Sequence, residues 1–245
     1  MIRGFVLAGG RGKRLHPYTT ILPKPLMPLG HSTILENLLL GLASSGITEV
    51  TISLGYLGHL VQAVINNGET FGVNVKYTRE DVPLGTAGSL RLLTEVERDD
   101  VVVVVNGDTL TDFEYNTAIL AIKETPADAI IVCKERTTTT DFGVVTMTDS
   151  GILAGYFEKP TTIHLVSTGI NVVRGSAILD WLPEGNGGNI DMPEFLQEIQ
   201  TAGGTVSCLK TDALWLDLGR PEDVITANQE YGDVAVRSLG WDALQ

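Results

Sequence analysis

The 245-residue chain contains little of what marks several large classes of protein. Its two cysteines, Cys133 and Cys208, are too few for a disulfide framework and lie in apolar runs, where we expect reduced core residues. Because 17 Lys and Arg oppose 30 Asp and Glu, the net charge is −13. The chain therefore lacks the basic stripe that nucleic acids and anionic lipids require, and neither kind of partner is expected.

Long apolar runs are missing as well. No run approaches the roughly 20 residues of a membrane-spanning helix, and the first residues enter a strand-like run too early for a signal peptide. Hydrophobic residues make up 43% of the chain and charged residues 19%, which is an ordinary globular balance. We therefore expect a cytoplasmic globular protein.

The few basic residues are concentrated near the start of the chain. Residues 25–75 contain no lysine or arginine, whereas the first 24 positions hold Arg3, Arg11, Lys13, Arg14 and Lys24. An acidic chain that gathers cations around one glycine-rich loop is suited to hold phosphate there. A solvated basic edge is the alternative, and charge alone does not separate the two.

Short β-branched runs alternate with helical patterns through the first half of the chain. The predicted strands are residues 2–8, 49–54, 73–78, 101–105 and 129–133, and the predicted helices are residues 33–44, 57–65, 88–95 and 113–123. Residues 101–105 are five valines, a run typical of a parallel strand covered on both faces. The alternation predicts an α/β fold with a doubly wound, mostly parallel, Rossmann-like sheet, whose ligands gather at the carboxyl ends of the strands.

The pattern changes after Lys134. Residues 142–148 and 152–158 flank a hairpin-like turn, and beyond it we predict strands at 166–173, 206–210 and 213–218 and helices from about 176, at 191–201 and at 221–230. Without an internal repeat or a low-complexity linker, the chain reads as one α/β domain with a smaller β lobe. Residues 232–245 form a tail that either frays or serves contacts in a homo-oligomer.

The first predicted strand runs directly into a glycine-rich segment, Leu7-Ala8-Gly9-Gly10-Arg11-Gly12-Lys13-Arg14-Leu15. Glycines there let backbone N–H groups approach anionic oxygens without interference from a Cβ atom. The segment is not a Walker A loop, because Arg14 stands where Ser or Thr is required. It is not a dinucleotide fingerprint, because Leu15 stands where Gly or Ala is required.

The next segment places a lysine between two prolines, in Pro23-Lys24-Pro25, which suits a preorganised cation that meets phosphate. Together the two segments resemble the sugar-1-phosphate nucleotidyltransferase family, and most closely its mannose-1-phosphate guanylyltransferases. Further family motifs follow in order: Leu84-Gly85-Thr86-Ala87-Gly88, Asn106-Gly107-Asp108, Phe142-Gly143-Val144-Val145, Glu158-Lys159-Pro160, Ser167-Thr168-Gly169-Ile170-Asn171 and Trp215-Leu216-Asp217-Leu218-Gly219. Each motif alone is weak evidence, whereas the ordered set is highly specific.

The resemblance implies a fold of the nucleotide-diphospho-sugar transferase type and a defined reaction. Family members join a nucleoside triphosphate to a sugar 1-phosphate and release pyrophosphate, with Mg²⁺ as cofactor. By resemblance, five residues carry the chemistry: Asp108 and Asp217 as metal ligands, Arg14 at the leaving pyrophosphate, Lys24 at the α-phosphate and Lys159 at the sugar phosphate. The simpler alternatives are that Asp108 forms a turn or a helix cap, and that Asp217 caps the following helix.

The resemblance also implies a nucleotide site in the first half of the chain. Its expected residues are Leu7, Ala8, Gly9, Gly10, Gly12, Glu80, Pro83, Gly85, Thr86 and Gly107. Guanine presents two N–H donors on its Watson–Crick edge, which suit the carboxylate of Glu80, whereas uracil and thymine present a donor together with acceptors. GTP is therefore the favoured donor, with UTP or dTTP as alternatives. Thr86 also fits an ordinary helix cap.

The sugar side is less determined. By resemblance, the contacts are Gly143, Glu158, Lys159 and Asn171, so that residues 1–134 form a nucleotide-binding part and residues 135–231 a sugar-binding part. The family often has an aromatic residue at the position of Asn171, and its acidic stretch before Asp191 is reduced here to residues 187–190 without an acid. Mannose, a heptose, an N-acetylhexosamine or a cyclitol phosphate therefore all stay open.

Two other functions remain as alternatives. A catalytically silent module that senses nucleotide-sugars would keep the fold, although such relatives are expected to lose a cation or a metal carboxylate, and this chain loses none. A choline-phosphate cytidylyltransferase would share the first loop but needs an aromatic cage, and aromatic residues make up only 6% of the chain. We also expect a compact catalytic domain without the C-terminal β-helix of larger relatives.

Overall fold

The valine run of residues 101–105 forms a central strand of the molecule. The computed structural model describes residues 1–80, 82–182 and 189–238. Its strands are β1 Ile2–Ala8, β2 Pro28–Leu29, β3 Ser32–Thr33, β4 Glu49–Leu54, β5 Asn74–Arg79, β6 Val101–Asn106, β7 Thr109–Thr111, β8 Ala129–Thr139, β9 Val144–Met147, β10 Leu153–Phe157, β11 Thr161–Arg174, β12 Val206–Lys210 and β13 Trp215–Asp217. Its helices are α1 Ile34–Ser44, α2 Gly58–Ile65, α3 Tyr115–Glu124, α4 Gly175–Trp181, α5 Met192–Thr201 and α6 Pro221–Ser238.

Seven strands form the main sheet in the order β12-β8-β11-β6-β1-β4-β5. Strand β1 pairs in parallel with β4 and β6, while β11 runs antiparallel to both of its neighbours, β6 and β8. Both faces of β6 are covered, since Val103 and Val105 pack in one hydrophobic cluster and Val102 and Val104 in another. The predicted doubly wound, mostly parallel sheet is confirmed.

Helix α1 begins at the capping box that the sequence predicts. The Thr33 hydroxyl accepts a hydrogen bond from Glu36 N at 3.2 Å, and the Glu36 carboxylate accepts one from Thr33 N at 2.6 Å. Asp191 and Glu194 form the same reciprocal pair at the start of α5. Such a box satisfies two backbone donors that the helix itself leaves unpaired, so local sequence contributes to both helix starts.

Strands β8 and β11 continue past the main sheet as a two-stranded ribbon, from Cys133 opposite Ser167 to Thr139 opposite Thr161. The predicted strand ended at Cys133 because the apolar run ends there. An exposed ribbon needs β-branched residues instead of a buried face, and a run of threonines supplies them. The hairpin β9–β10 follows as a separate two-stranded sheet, in agreement with a smaller β lobe.

Two local predictions were wrong. Residues 88–95 form only a 3₁₀ turn over Gly88–Leu92, because Leu93 leaves helical geometry with φ −77° and ψ 82°. Cys208 is exposed, since it lies on the edge strand β12, whereas Cys133 is buried as predicted. Burial raises the pKa of the Cys133 thiol to about 11. Both cysteines are free thiols.

The last helix is longer than the pattern suggests. Helix α6 continues to Ser238, so residues 232–238 of the predicted tail belong to it. Residues 239–245 lie outside the described part of the chain. Among the described helices, none combines the length and the apolar character that a bilayer crossing requires.

Candidate active site

The carboxyl end of β6 carries the central acid of the candidate site. Asp108 comes two residues after the strand, and the residues that follow it form strand β7. Asp108 is therefore not the cap of a helix. Strand β7 pairs antiparallel with β13, which places Asp217 opposite Thr109. Two carboxylates that are far apart in the sequence thus approach each other beside one strand end.

Lys24 lies between these two carboxylates. Its Nζ donates a hydrogen bond to Asp108 Oδ2 and lies 3.6 Å from Asp217 Oδ1. The exposed fraction of the side chain rises from 9% for Lys24 to 27% for Asp108 and 45% for Asp217. Lys24, Asp108 and Asp217 together form a lysine–carboxylate group. Because two carboxylates share one ammonium, this group keeps one net negative charge. Its two carboxylates are more exposed to solvent than its ammonium.

The backbone around Lys24 is stiff and buried. Pro23 and Pro25 restrict it on both sides, and Lys24–Leu26 form a single 3₁₀ turn. Gly107 packs against Pro25 and donates its N–H to the Leu7 carbonyl at 2.9 Å. The position of the ammonium is therefore set by the ends of two central strands.

The glycine-rich segment turns sharply at Gly12. Gly12 has φ +58°, and a Cβ atom there would lie 2.9 Å from Thr19 Cγ2 and 3.2 Å from Lys24 Cβ. Thr19 Oγ1 donates a hydrogen bond to the Gly12 carbonyl at 2.9 Å. Gly10 borders open space. The turn thus brings the glycine-rich segment against Lys24 and leaves room beside it.

Arg14 packs against Gly219, the glycine that ends the motif Trp215-Leu216-Asp217-Leu218-Gly219. Its guanidinium lies over Gly219, where a Cβ atom would be 3.1 Å from Nη1. Arg14 is exposed, and no hydrogen bond or ion pair holds its guanidinium within the described residues. Because Gly219 is two residues after Asp217, Arg14 offers a second cation to an anion that binds near this acid.

Glu80 follows β5 directly and lies beside the glycine-rich segment. Its Oε2 accepts a hydrogen bond from Leu84 N at 2.9 Å, and its Oε1 accepts one from Ser53 Oγ at 3.3 Å. Oε1 also lies 3.7 Å from the position of a Cβ atom on Gly9. A carboxylate has about four acceptor sites, so both oxygens keep capacity for further N–H donors.

Thr86 joins the loop after β5 to the start of α5. Its N and Oγ1 donate to Asp191 Oδ1 at 2.9 and 3.2 Å, and Oγ1 accepts from Met192 N at 2.8 Å. The hydroxyl therefore caps α5 instead of its own 3₁₀ turn, which has no side-chain cap. Sequence reasoning identifies Asp191 only as a helix start, because no local signal reveals a partner in so distant a loop.

The four other predicted nucleotide contacts lie at the end of β1 or in the loop after β5. Leu7 and Ala8 end β1, where β1 runs beside β6. Pro83 is exposed in the loop after β5, and Gly85 packs in the same loop against Ile190. All of them come from strand ends or from the loop that follows one.

Three of the expected sugar contacts lie at the base of the hairpin β9–β10. Tyr156 Oη donates a hydrogen bond to Glu158 Oε2 at 3.4 Å. A Cβ atom on Gly143 would collide with this tyrosine hydroxyl. Lys159 is exposed and has φ +45°. Within the described residues, no hydrogen bond or ion pair connects these residues with the lysine–carboxylate group.

Asn171 lies elsewhere, within the main sheet on β11. It is 5% exposed, and its Oδ1 has no hydrogen-bond partner among the described residues. Together with Thr86 and Asn106, it lines a cavity of about 540 Å³ between α5 and strands β8, β11 and β12. Asn171 therefore shares a cavity with Thr86 from the loop after β5, and it lies on a different element from the hairpin residues with which the resemblance groups it.

Asp108 and Asp217 fit the donor set that Mg²⁺ prefers. Both approach the same point, where the Lys24 ammonium lies. Mg²⁺ is bound through one or two carboxylates, keeps several waters and takes its other ligands from substrate phosphates. Within the described residues, no group of three or more His, Cys, Asp or Glu is arranged to hold a metal, so a carboxylate pair is what the chain offers here.

Comparison with known proteins identifies the family. The family model described as nucleotidyl transferase matches residues 3–234. The chain belongs to the nucleotidyl transferase family. The resemblance to sugar-1-phosphate nucleotidyltransferases that the sequence motifs carry is thereby confirmed.

The named relatives of this nucleotidyl transferase have modest identity to it. UTP–glucose-1-phosphate uridylyltransferase of Synechocystis sp. is 27% identical over 238 residues, covering 91% of this chain and 61% of that protein. Mannose-1-phosphate guanyltransferase beta-A of Xenopus laevis is 29% identical over 240 residues, covering 94% and 64%. The chain thus spans less than two thirds of the length of these relatives, and their names differ in the base.

A solved structure shares the fold. A Bacillus anthracis protein assigned as a glucose-1-phosphate thymidylyltransferase, solved with sucrose, has a TM-score of 0.75 and 22% identity. The match covers 95% of this chain and 96% of that one. At this identity the likeness shows the fold alone, and the predicted fold type is confirmed.

Proposed function

We propose that this nucleotidyl transferase joins a nucleoside triphosphate to a sugar 1-phosphate and releases pyrophosphate. The observation that carries the proposal is the position of Lys24 between Asp108 and Asp217, at the carboxyl end of β6. A cation for phosphate and a carboxylate pair for Mg²⁺ lie together where open α/β sheets bind ligands. The names of both curated relatives, which are sugar-1-phosphate nucleotidyltransferases, support the proposal.

The reaction requires that two anions approach each other. A phosphate oxygen of the sugar phosphate attacks the α-phosphorus, the bond from the α-phosphorus to the bridging oxygen breaks, and pyrophosphate leaves. The attacking phosphate is already an anion, so no residue has to remove a proton. Lys24 neutralises the α-phosphate and orients the incoming phosphate, while Arg14 stabilises the charge on the pyrophosphate.

Asp108 and Asp217 are the residues that would hold Mg²⁺. When bound, the ion neutralises and orients phosphate oxygens next to the α-phosphorus. In its absence, the Lys24 ammonium offsets the repulsion between the two carboxylates. Substrate binding on this proposal moves Lys24 from carboxylate partners to a phosphate partner, which keeps the ammonium paired in both states.

GTP is the proposed donor. Glu80 Oε1 lies beside Gly9 of the glycine-rich segment, and both carboxylate oxygens keep acceptor capacity, which suits the two N–H donors of guanine. The Glu80→Gln variant replaces one acceptor by a donor in the same shape. We expect it to reduce the ratio of kcat/KM for GTP to that for UTP by about tenfold or more. An unchanged ratio would show that Glu80 does not select the base.

The two halves of the chain have different proposed tasks. Residues 1–134 hold the base and the triphosphate, and residues 135–231 hold the sugar. In the second part, Gly143 and Glu158 contact sugar hydroxyls and Lys159 contacts the sugar phosphate. The β7–β13 pair then brings Asp217, from the second part, back to the strand end of the first.

A pyrophosphate-release assay tests the activity. The protein is incubated with Mg²⁺, each of GTP, UTP, dTTP, CTP and ATP, and a panel of sugar 1-phosphates. We expect turnover in at least one combination and none when EDTA removes the metal. The Asp108→Asn variant, purified in parallel, controls for contaminating enzymes. No turnover in any combination overturns the proposal, and tight binding of a nucleotide-sugar without turnover would indicate a sensor.

A further inference from the structure

Tyr56 contacts the glycine-rich segment but has no task in the reaction as described so far. It comes two residues after β4, which is a neighbour of β1 in the main sheet. Its backbone N donates a hydrogen bond to the Gly9 carbonyl at 3.3 Å, and its hydroxyl donates one to the Thr20 carbonyl at 3.1 Å. One residue therefore joins the backbone before the Gly12 turn to the backbone after it.

Gly55 allows this contact to be close. A Cβ atom at Gly55 would lie 2.5 Å from the Gly9 carbonyl oxygen and 2.9 Å from Gly9 Cα, so a larger residue would displace the glycine-rich segment. On the other side of β1, Gly107 after β6 donates its N–H to the Leu7 carbonyl. The segment is therefore held by the ends of both strands that flank β1.

The ring of Tyr56 also holds a cation. The guanidinium of Arg11 lies over it, 5.8 Å from the ring centroid, which is within reach of a cation–π interaction. Arg11 is exposed, and within the described residues no hydrogen bond or ion pair engages its guanidinium. A carboxylate would orient this cation but also neutralise it. The aromatic face orients it and leaves its charge and its N–H donors available to an anion.

Arg11 and Arg14 lie on either side of the Gly12 turn, and both are exposed. In the proposed reaction Lys24 serves the α-phosphate and Arg14 the pyrophosphate. The leaving pyrophosphate carries more than one negative charge, so a single guanidinium does not balance it. A planar guanidinium also binds phosphate oxygens in a bidentate manner. A second arginine on the same segment therefore suits the terminal phosphates.

We propose that Tyr56 positions Arg11 for the two terminal phosphates of the nucleoside triphosphate, an inference that rests on the proposed function. Tyr56 is a positioning residue, since it touches Arg11 and the backbone of the segment instead of the substrate. Its ring orders the guanidinium and its two hydrogen bonds order the backbone before the nucleotide arrives. Such preorganisation lowers the entropic cost of binding.

Calorimetry in the presence of Mg²⁺ tests the inference separately from turnover. It compares GTP with GMP, UTP with UMP and dTTP with dTMP. For each triphosphate that the wild type binds, Arg11→Gln should weaken binding about tenfold or more, and binding of the monophosphate should weaken less than about threefold. Unchanged affinities, or equal losses for both nucleotides, overturn the inference. No binding of any nucleotide to the wild type overturns the proposed function as well.

Variants of Tyr56 test whether it acts through Arg11. Tyr56→Leu, which removes the ring, should weaken triphosphate binding about fivefold or more, and Tyr56→Phe, which keeps the ring, should restore most of the affinity. Tyr56→Leu combined with Arg11→Gln should lose less than the product of the two single losses, whereas losses that multiply contradict the coupling. Tyr18→Leu makes the same change at an exposed tyrosine and is the control. A lower Tm with equal weakening of triphosphate and monophosphate would assign Tyr56 a merely structural role.

The reverse reaction provides a kinetic measurement, because pyrophosphate and the nucleotide-sugar are then separate substrates. In Arg11→Gln and in Tyr56→Leu, KM for pyrophosphate should rise about tenfold, and KM for the nucleotide-sugar should change less than about threefold. Equal increases in the two KM values contradict the proposal. Selective loss of triphosphate binding in a protein without turnover would instead overturn only the proposed reaction.

Discussion

Strand β6 has an aspartate near each end, and the two carboxylates meet different surroundings. Asp100 directly precedes the strand and is 1% exposed. Its carboxylate accepts hydrogen bonds from the Met1 ammonium at 2.6 Å, Arg3 Nε at 2.7 Å and Glu97 N at 3.0 Å. Two cations and a backbone donor therefore surround one carboxylate, and little acceptor capacity is left for a ligand.

Asp108, beyond the other end of β6, has the reverse balance. It shares the single ammonium of Lys24 with Asp217, and its side chain is 27% exposed. At the amino end cations exceed carboxylates, whereas at the carboxyl end carboxylates exceed cations. The same residue type therefore stabilises the fold at one end of the strand and remains open to a cation at the other, as expected for sheets whose ligands gather at carboxyl ends.

Neutralising Asp108, at the carboxyl end of β6, should have the largest effect. Asp108→Asn should lower kcat/KM by about a thousandfold, because a metal ligand is lost where phosphate charge develops. The free energy of unfolding, measured in urea, should change by less than about 1 kcal/mol, since a like charge beside Asp217 is also removed. Activity within tenfold of wild type would contradict the assignment of Asp108 to the reaction.

Removal of the shared cation should have the next largest effect. Lys24→Met keeps the length of the side chain and should lower kcat/KM by about a hundredfold or more, because the α-phosphate loses its fixed partner. Steady-state kinetics over a range of Mg²⁺ concentrations measure this loss. Lys123→Met, an exposed lysine at the end of α3, is the matched control and should leave kcat/KM unchanged. Equal effects of the two variants would exclude a special role for Lys24.

At the amino end of β6, we expect a substitution of Asp100 to lower the stability of the protein instead of its activity. Burial alone would raise the pKa of Asp100, but its hydrogen bonds from the Met1 ammonium, Arg3 and Glu97 N lower it from 3.8 to about 2. Because the folded pKa is the lower one, the ionised carboxylate stabilises the fold above about pH 4, and this contribution of about 2 kcal/mol is lost as the pH falls from about 4 to 2. Asp100→Asn should remove that stabilisation at pH 7 and leave kcat unchanged.

Urea unfolding at pH 7 and at pH 3 measures this effect, and the gap between wild type and Asp100→Asn should narrow at the lower pH. Asp99→Asn alters the exposed neighbouring residue and serves as the control. A variant of Asp100 that unfolds like wild type at pH 7 would show that the hydrogen bonds merely offset burial. A fall in kcat without a fall in stability would connect the amino end of β6 to the active site.

The smallest expected effect concerns the link between Thr86 and α5. Thr86→Val keeps the shape but removes a hydroxyl that accepts from Met192 N and donates to Asp191. We expect a loss of about 1 kcal/mol of stability, as for other helix caps, and an increase of a few-fold in KM for the nucleotide. Thr94→Val, at an exposed position in the same region, is the control. An unchanged KM would show that the cap does not position the nucleotide loop.

Local pattern predicted the framework of this protein well. The valine run gave β6, alternation of strands and helices gave the parallel sheet, and Thr33 with Glu36 gave the start of α1. The predictions from sequence were less accurate for strands and residues that are not buried. The ribbon of β8 and β11 extends beyond its apolar part, and Cys208 lies in an apolar run but on an edge strand.

Motif order identified the family and named Lys24, Asp108 and Asp217 as candidates, but it did not show that the lysine lies between the two acids. That arrangement depends on the pairing of β7 with β13 and on the contact of Gly107 with Pro25. No pattern signalled the hydrogen bonds of Thr86 with Asp191 or the ion pairs of Asp100 with the Met1 ammonium and Arg3. In each case the partners are far apart in the chain, and neither neighbourhood carries information about the other.

From the amino-acid sequence alone, most of the strands and helices could be predicted, because hydrophobic periodicity, glycine and proline act over a few residues. The sequence also determined which side chains are available for chemistry. How the charges are balanced depends on tertiary structure: two cations meet at Asp100, and one ammonium serves two acids at the other end of β6. Tertiary structure also leaves Asn171 Oδ1 without a hydrogen-bond partner among the described residues. The balance depends on distances across the sheet, which arise when strands from distant parts of the chain pair and exclude water from between them.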